Sequence, residues 1–112
     1  MFLADLGAEV IHIELPQGDD AREFGPFVGE PGRNRSGFFI SLNRNKKSMV
    51  LDLRQDKGKR ILGKLIRKSD VLVENYRPST MRKLGFGWEE IDQLNREGII
   101  NSKTCWEAGK WQ

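Results

Sequence analysis

A short polar segment that follows an apolar run carries three side chains able to bind a ligand. Residues 71–74 (VLVE) predict a strand, and Asn75, Tyr76 and Arg77 come directly after it. The amide of Asn75 can donate and accept hydrogen bonds, Tyr76 offers a ring for stacking, and Arg77 offers a positive charge. Because ligands of open parallel sheets bind beyond the carboxyl ends of the strands, we expect a binding site here. The alternative is that Asn75 and Pro78 simply form a turn.

A second polar cluster lies at residues 43–48 (NRNKKS), immediately before the apolar run Met49–Leu51. Lysine and arginine side chains satisfy phosphate oxygens with charge-assisted hydrogen bonds. Cations beside a strand end therefore suggest a phosphate site formed by Arg44, Lys46 and Lys47. The alternative is a solubilising turn.

The other reactive side chains point to no further site. Asp19, Asp20 and Glu23 could do acid–base chemistry or hold a metal ion, but nothing nearby completes a ligand set, so we expect a solvated loop. His12 lies in a β-branched run and is expected to be a sheet residue, and Cys105 has no basic neighbour to activate it. With one histidine and one cysteine, the sequence predicts no metal site and no internal disulfide.

The small net charge of the chain hides a strongly basic middle. The 112 residues carry 19 Lys+Arg and 16 Asp+Glu, a formal charge of +3, whereas residues 33–83 carry 15 of the basic residues and four acids, a charge of +11. Such a segment suggests an anionic partner, which could be nucleic acid, acidic lipid or a phosphorylated small molecule. The alternative, for six of these cations, is the solvated face of one helix: Lys57, Lys59, Arg60, Lys64, Arg67 and Lys68.

Hydrophobic patterning predicts an α/β chain. Apolar and β-branched runs predict strands at 9–14, 48–53, 71–74 and 99–100. Helical spacing and end signals predict helices ending at Leu6, over 56–68 with Asp56 as its cap, from Ser79 or Thr80 to Leu84, and over 88–94. The apolar face of the helix over 56–68 is predicted to consist of Ile61, Leu62, Leu65 and Ile66. A proline- and glycine-rich loop fills 16–32, and 36–41 is a short extended or helical piece. Continuous apolar strands separated by a helix predict parallel pairing, with the strands buried on both faces.

The length and the hydrophobic pattern of the chain also limit the classes of protein to which it can belong. A chain of 112 residues holds at most one domain, and 38% hydrophobic residues support a modest core. No apolar run approaches the ~20 residues of a membrane span, and the first residues do not form a secretory signal. We therefore expect a cytoplasmic protein with no membrane partner.

Four consecutive blocks of this sequence resemble the N-terminal part of the class III CoA-transferase family, which includes formyl-CoA transferase, the carnitine CoA-transferases and α-methylacyl-CoA racemase. The blocks are Leu3–Ile11 with Glu14 and Pro16; Gly18-Asp19 with Arg22 and Gly25-Pro26; Asn43–Ser48 with Leu51–Leu53; and Ser69–Pro78 with Met81 and Leu84-Gly85. They follow one another in order over residues 1–100. The Asn-Arg-Asn-Lys and Glu-Asn-Tyr-Arg-Pro forms resemble transferases more than racemases.

The resemblance implies a Rossmann-like, mostly parallel open sheet with flanking helices, and two subunits that interlock. It implies transfer of CoA between carboxylic acids through an aspartyl-CoA intermediate. The partners are then CoA and acyl-CoA as substrates, with no separate cofactor. By position, the residues that fall where the family lines its CoA pocket are Leu51, Arg54, Asn75, Tyr76, Thr80, Lys83 and Leu84. Arg54 and Lys83 would meet phosphates, and Tyr76 and Leu84 would contact the adenine or the pantetheine arm. Leu15 stands where many members carry a basic residue.

Departures from the family pattern suggest a fragment whose fold is incomplete at both ends. The family's opening strand precedes the first block, its catalytic aspartate lies beyond the last, and residues 101–112 do not resemble its continuation. We therefore expect a partial CoA-binding domain over 1–100 followed by an unrelated tail, inactive by itself. The alternatives are a basic module that binds nucleic acid, although no RNA-binding or helix-turn-helix signature is present, and a remnant without function.

Overall fold

A computed structural model describes residues 2–29 and 35–102. The five α-helices of this part are α1 Phe2–Asp5, α2 Gly37–Asn43, α3 Asp56–Lys68, α4 Pro78–Lys83 and α5 Trp88–Leu94. Its six strands are β1 Val10–Glu14, β2 Phe27–Val28, β3 Arg35–Ser36, β4 Lys46–Val50, β5 Val71–Glu74 and β6 Ile99–Ser102, and a short 3₁₀ helix covers Asp20–Glu23. The predicted α/β class, with parallel strands and flanking helices, is confirmed. The chain divides into two compact units between Asp52 and Leu53.

The first unit is organised around the parallel pair β1–β4. Val10 lies opposite Lys46 and Glu14 opposite Val50, and the amide of Leu51 extends the ladder by donating to the carbonyl of Glu14 over 2.9 Å. The strand predicted at 48–53 thus begins two residues earlier and ends three residues earlier than expected. Because the hydrogen bonds between strands join backbone groups, Lys46 and Lys47 can belong to the strand although their side chains are charged. Asn45, at a φ of 62°, makes the tight turn that precedes it.

The loop predicted at 16–32 is more structured than expected. Besides its 3₁₀ helix, it supplies β2, which pairs antiparallel with β3. The hydroxyl of Ser36, one of the buried polar side chains, has the carbonyls of Ala21 and Phe24 within hydrogen-bonding reach of its single proton and accepts from the amide of Phe39. A single buried serine therefore ties the loop to the start of α2. Residues 30–32 of the predicted loop lie outside the described residues.

The second unit packs its helices through apolar faces. The predicted apolar face of α3 is confirmed at Leu62 and Ile66, which are buried with Gly58, whereas Ile61 and Leu65 are half-buried. Helix α5 contributes the buried Ile91. The half-buried Asn95 follows α5, and its side-chain amide donates to the carbonyls of Ile66 (2.8 Å) and Ser69 (2.7 Å). This side chain satisfies the carbonyl of Ser69, the C-cap of α3, and adds a second hydrogen bond to the carbonyl of Ile66, which also accepts from the amide of Ser69.

Two predicted helix caps are wrong. Gln55, in extended conformation, is the N-cap of α3, and Asp56 is instead in the first helical turn, where a carboxylate still favours the helix dipole. The N-cap of α4 is Arg77 rather than Ser79 or Thr80, because Pro78 has the φ that suits the first helical position.

The strands pair in parallel but are not buried on both faces. β5 and β6 form a parallel ladder that runs from Val71–Ile99 to Glu74–Ser102, so the predicted fourth strand is confirmed and continues through Ser102. Val73 is nevertheless 61% exposed, and Val50 of β4 is equally exposed. An unbroken apolar run predicts burial on both faces, yet within 2–29 and 35–102 no element covers these side chains. In this part of the chain no helix is long and apolar enough to cross a membrane.

Candidate functional site

The segment after β5 presents its predicted ligand-binding side chains to solvent. Asn75 and Tyr76 lie between β5 and α4, and both are exposed. The carboxylate of Glu74 accepts a hydrogen bond from the amide of Tyr76 over 2.8 Å. This contact fixes the backbone at the point where the strand ends. Because residue Tyr76 is 38% exposed, its side chain is available for stacking.

Helix α4 and its C-cap, Leu84, carry three further predicted residues of the CoA pocket on one side. Thr80, Lys83 and Leu84 are three and four positions apart, a spacing that places side chains on the same helix face. The amide of Thr80 donates to the carbonyl of Arg77 (2.8 Å), and that of Leu84 donates to the carbonyl of Thr80 (3.0 Å). Gly85, with a φ of +84°, then ends the helix as predicted. Lys83 is exposed, while Thr80 and Leu84 are half-buried.

Arg54 and Leu51, the last two residues expected to line the CoA pocket, lie on opposite sides of the point in the chain where the two units divide. Arg54 is exposed, belongs to the second unit and precedes α3. Leu51 belongs to the first unit and is buried after β4, where a ligand cannot reach much of its side chain without rearrangement. The structure therefore groups Asn75, Tyr76, Thr80, Lys83 and Leu84 in one short stretch of the second unit.

The cations of the cluster at 43–48 are engaged with neighbouring side chains. Arg44 forms a two-point pair with Asp5, from Nε to Oδ1 (3.0 Å) and from Nη2 to Oδ2 (2.6 Å), which lowers the pKa of that carboxyl. Lys47 pairs with Glu9 and lowers the pKa of that carboxyl too, and Lys46 donates to the side chain of Asn43 over 2.8 Å. These contacts favour a turn that is anchored to the preceding acids over a phosphate site.

Replacing Arg44 and Lys47 together with glutamine is expected to leave the affinity for CoA unchanged, since both cations already have carboxylate partners. Isothermal titration calorimetry of the double variant at physiological salt measures this. A tenfold loss of affinity would restore the phosphate interpretation of this cluster.

The most elaborate polar network of the first unit surrounds Glu14, a residue that the sequence did not single out for a role. Its buried carboxylate accepts from Arg22 at two points (2.8 Å from Nε and 2.7 Å from Nη2), from the hydroxyl of Ser48 (3.0 Å) and from the amide of Asp19 (3.2 Å). Hydrogen bonding from Arg22 is the main reason why the pKa of Glu14 falls to about 2. No periodicity or motif links position 14 to 22 and 48, so the sequence carries no local signal for this network.

Aromatic contacts extend this network. The guanidinium of Arg22 lies 3.9 Å from the ring centroid of Phe39, and Phe39 also stacks with His12 at 5.9 Å. Asp19 caps the 3₁₀ helix by accepting from the amide of Ala21, and its other oxygen lies 3.3 Å from Nε2 of His12. His12 is in β1, as predicted. Asp20 and Glu23 are exposed, but Asp19 is a structural residue rather than a freely solvated one.

The sequence matches the profile of CoA-transferase family III over residues 1–112. The chain belongs to this family. Family III relatives include the acetyl-CoA:oxalate CoA-transferase of Acetobacter aceti, which is 46% identical over 103 residues covering 91% of this chain and 25% of that protein. The succinyl-CoA:glutarate CoA-transferase of Homo sapiens is 46% identical over 106 residues, covering 93% of this chain and 23% of that protein.

Two solved structures contain a part with the fold of this chain. A CAIB/BAIF family protein from Brucella suis matches with a TM-score of 0.82 and 36% identity, over 89% of this chain and 27% of that one. Rv3272 from M. tuberculosis matches with a TM-score of 0.83 and 37% identity, over 96% of this chain and 30% of that one. The chain thus spans about a quarter of the length of the curated relatives it matches.

Proposed function

We propose that this chain is the CoA-binding part of an enzyme that transfers CoA between carboxylic acids. The observation that carries the proposal is the match to CoA-transferase family III along the whole chain, with relatives that are named as CoA-transferases. The exposed segment after β5 supports it, because it offers an amide, an aromatic ring and cations to a ligand that combines a base with phosphates.

In this proposal the exposed cations and the Tyr76 ring contact different parts of CoA. Lys83 and Arg54 contact phosphate oxygens, for which a flexible ammonium and a guanidinium are suited. Tyr76 stacks on the adenine or lies along the pantetheine arm, and Leu84 adds an apolar contact. Asn75 hydrogen-bonds polar groups of the ligand, and the Thr80 hydroxyl lies on the same helix face as Lys83. Leu51, which is buried in the first unit, is given no contact with CoA in this proposal.

The proposed chemistry is nucleophilic catalysis by an aspartate that we assign to no residue of this chain. Its carboxylate attacks the thioester carbonyl of the donor, CoA thiolate leaves, and a mixed anhydride forms. The thiolate then attacks the aspartyl carbonyl of the anhydride, which releases the donor acid and leaves an aspartyl-CoA thioester. The acceptor acid repeats these steps in reverse order. The interlocked dimer and the cytoplasmic location remain predictions.

A calorimetric titration tests the binding half of this function. We expect the folded chain to bind CoA in a one-to-one complex and to bind a DNA duplex much more weakly at physiological salt. A folded chain that binds no CoA would overturn the proposal. Preferential binding of the duplex would instead favour a nucleic-acid module.

Replacing Lys83 with alanine is expected to weaken CoA binding about fivefold, because one charge-assisted contact to a phosphate, worth about 1 kcal/mol at an exposed site, is lost. Arg82→Ala is the matched control, since Arg82 is the preceding exposed cation on α4 and is not among the residues that we place in the CoA pocket. Calorimetry at 150 mM salt compares the two variants. Equal effects of both substitutions would contradict a specific role for Lys83.

A further inference from the structure

The formal charges of the two units have opposite signs. Residues 1–52 carry six basic and eight acidic side chains, a charge of −2, whereas residues 53–112 carry thirteen basic and eight acidic ones, a charge of +5. The excess of the second unit is concentrated on α3. This helix contains six basic residues and one acid, Asp56.

Five of the basic residues of α3 share one side of the helix. At 3.6 residues per turn they fall within an arc of about 100°, opposite the buried side formed by Leu62 and Ile66. All five are exposed: Lys57, Arg60, Lys64, Arg67 and Lys68. We call these five residues the cationic face of α3.

The cationic face is not neutralised by other described residues. In the first unit, Arg22, Arg44 and Lys47 each pair with a carboxylate. Within 2–29 and 35–102, no ion pair involves any residue of the cationic face, and the surrounding helix surface holds Asp56 as its one acid. Five like charges on a helix about 20 Å long repel one another, and this repulsion lowers the stability of the fold.

We propose that the cationic face steers CoA toward the segment 75–84 without contacting it in the complex; this inference rests on the proposed function. CoA carries several phosphate charges, and a positively charged surface raises the encounter rate of an anion by tenfold or more at low salt. The face and the segment belong to the same compact unit. At 10 mM ionic strength the Debye length is about 30 Å, which exceeds the length of α3, so the whole face contributes there.

The test compares association rate constants measured by stopped-flow mixing of the chain with CoA at 10, 50, 150 and 300 mM salt. In the first variant all five residues of the cationic face become glutamine, which keeps a high helix propensity. We expect the association rate constant to fall about tenfold at 10 mM and less than twofold at 300 mM, with the dissociation rate constant unchanged.

Two further variants separate charge from contact. Arg60→Lys with Arg67→Lys keeps the charge and changes the geometry, so association should match that of the unsubstituted chain. Asp92→Asn with Glu97→Gln removes two exposed acids of the same unit and should accelerate association at 10 mM. Circular dichroism confirms that each variant retains its helices.

Each outcome decides the inference. An association rate constant that the five glutamines leave unchanged at 10 mM would overturn steering while leaving the proposed function intact. A loss of affinity that arises in the dissociation rate constant would also overturn it, since the face would then be a contact surface. A folded chain that does not bind CoA at all would overturn the proposed function and the inference with it.

Discussion

Replacing Glu14 with glutamine is expected to lower the free energy of unfolding by about 2 kcal/mol at pH 7, because a buried carboxylate loses its charge while Arg22 keeps its own. The cost stays below that of a fully buried pair, since the side chain of Arg22 is 46% exposed and water can take over part of its hydrogen bonding. Urea denaturation measures the change.

The pKa of Glu14 also predicts how the stability of the chain depends on pH. The pKa of Glu14 is about 2 in the folded chain, below its ordinary value of 4.5, so between these two values the unfolded chain binds more protons than the folded chain. The contribution of Glu14 to stability is therefore complete above about pH 5 and is lost as the pH falls toward 2. Glu14→Gln should remove this part of the pH dependence.

Glu9→Gln is the matched control for both experiments. Glu9 also pairs with a cation, Lys47, but both side chains are largely exposed, so we expect little change in stability. Equal destabilisation by Glu9→Gln and Glu14→Gln would contradict the structural role of the Glu14 network, as would an unaltered acid transition in Glu14→Gln.

Replacing Tyr76 with alanine is expected to weaken CoA binding about 30-fold, because the loss of one stacked ring costs roughly 2 kcal/mol by analogy with base–aromatic contacts. The ring lies on the surface, so its removal leaves the fold intact. Titration calorimetry of the variant with CoA gives the change in affinity.

Two substitutions make this result specific. Tyr76→Phe keeps the ring and should retain most of the affinity. Trp88→Ala removes another exposed aromatic side chain of the second unit, 65% exposed, and should have no effect on CoA binding. If Tyr76→Phe weakened binding as much as Tyr76→Ala, the phenol hydroxyl rather than stacking would account for the role of Tyr76.

Local patterns in the sequence predicted most of the second unit. The spacing of Leu62 and Ile66 identified the buried side of α3, and the apolar run at 71–74 gave the bounds of β5. Gly7 and Gly85 marked helix ends because both adopt positive φ, which other residues avoid. These features depend on residues close together in the chain, so the sequence records them directly.

Contacts between distant residues were not predictable in this way. The Glu14 network joins positions 14, 22 and 48, and Asn95 reaches back to the end of α3 at Ile66 and Ser69. Such contacts require the fold to be known, since nothing in the chain near Glu14 or Asn95 identifies their partners. The basic cluster at 43–48 illustrates the same limit: its composition suggested a phosphate site, but Asp5 and Glu9 engage its cations from another part of the chain.

The central claim is that the segment 75–84 of a family III chain binds CoA, and NMR mapping tests it most directly. Amide chemical shifts of the isotope-labelled chain are followed while CoA is added. We predict that the largest changes occur at Asn75, Tyr76, Thr80, Lys83 and Leu84, with smaller ones at Arg54. Changes confined to the first unit, or a folded chain whose amides do not respond to CoA, would contradict the account.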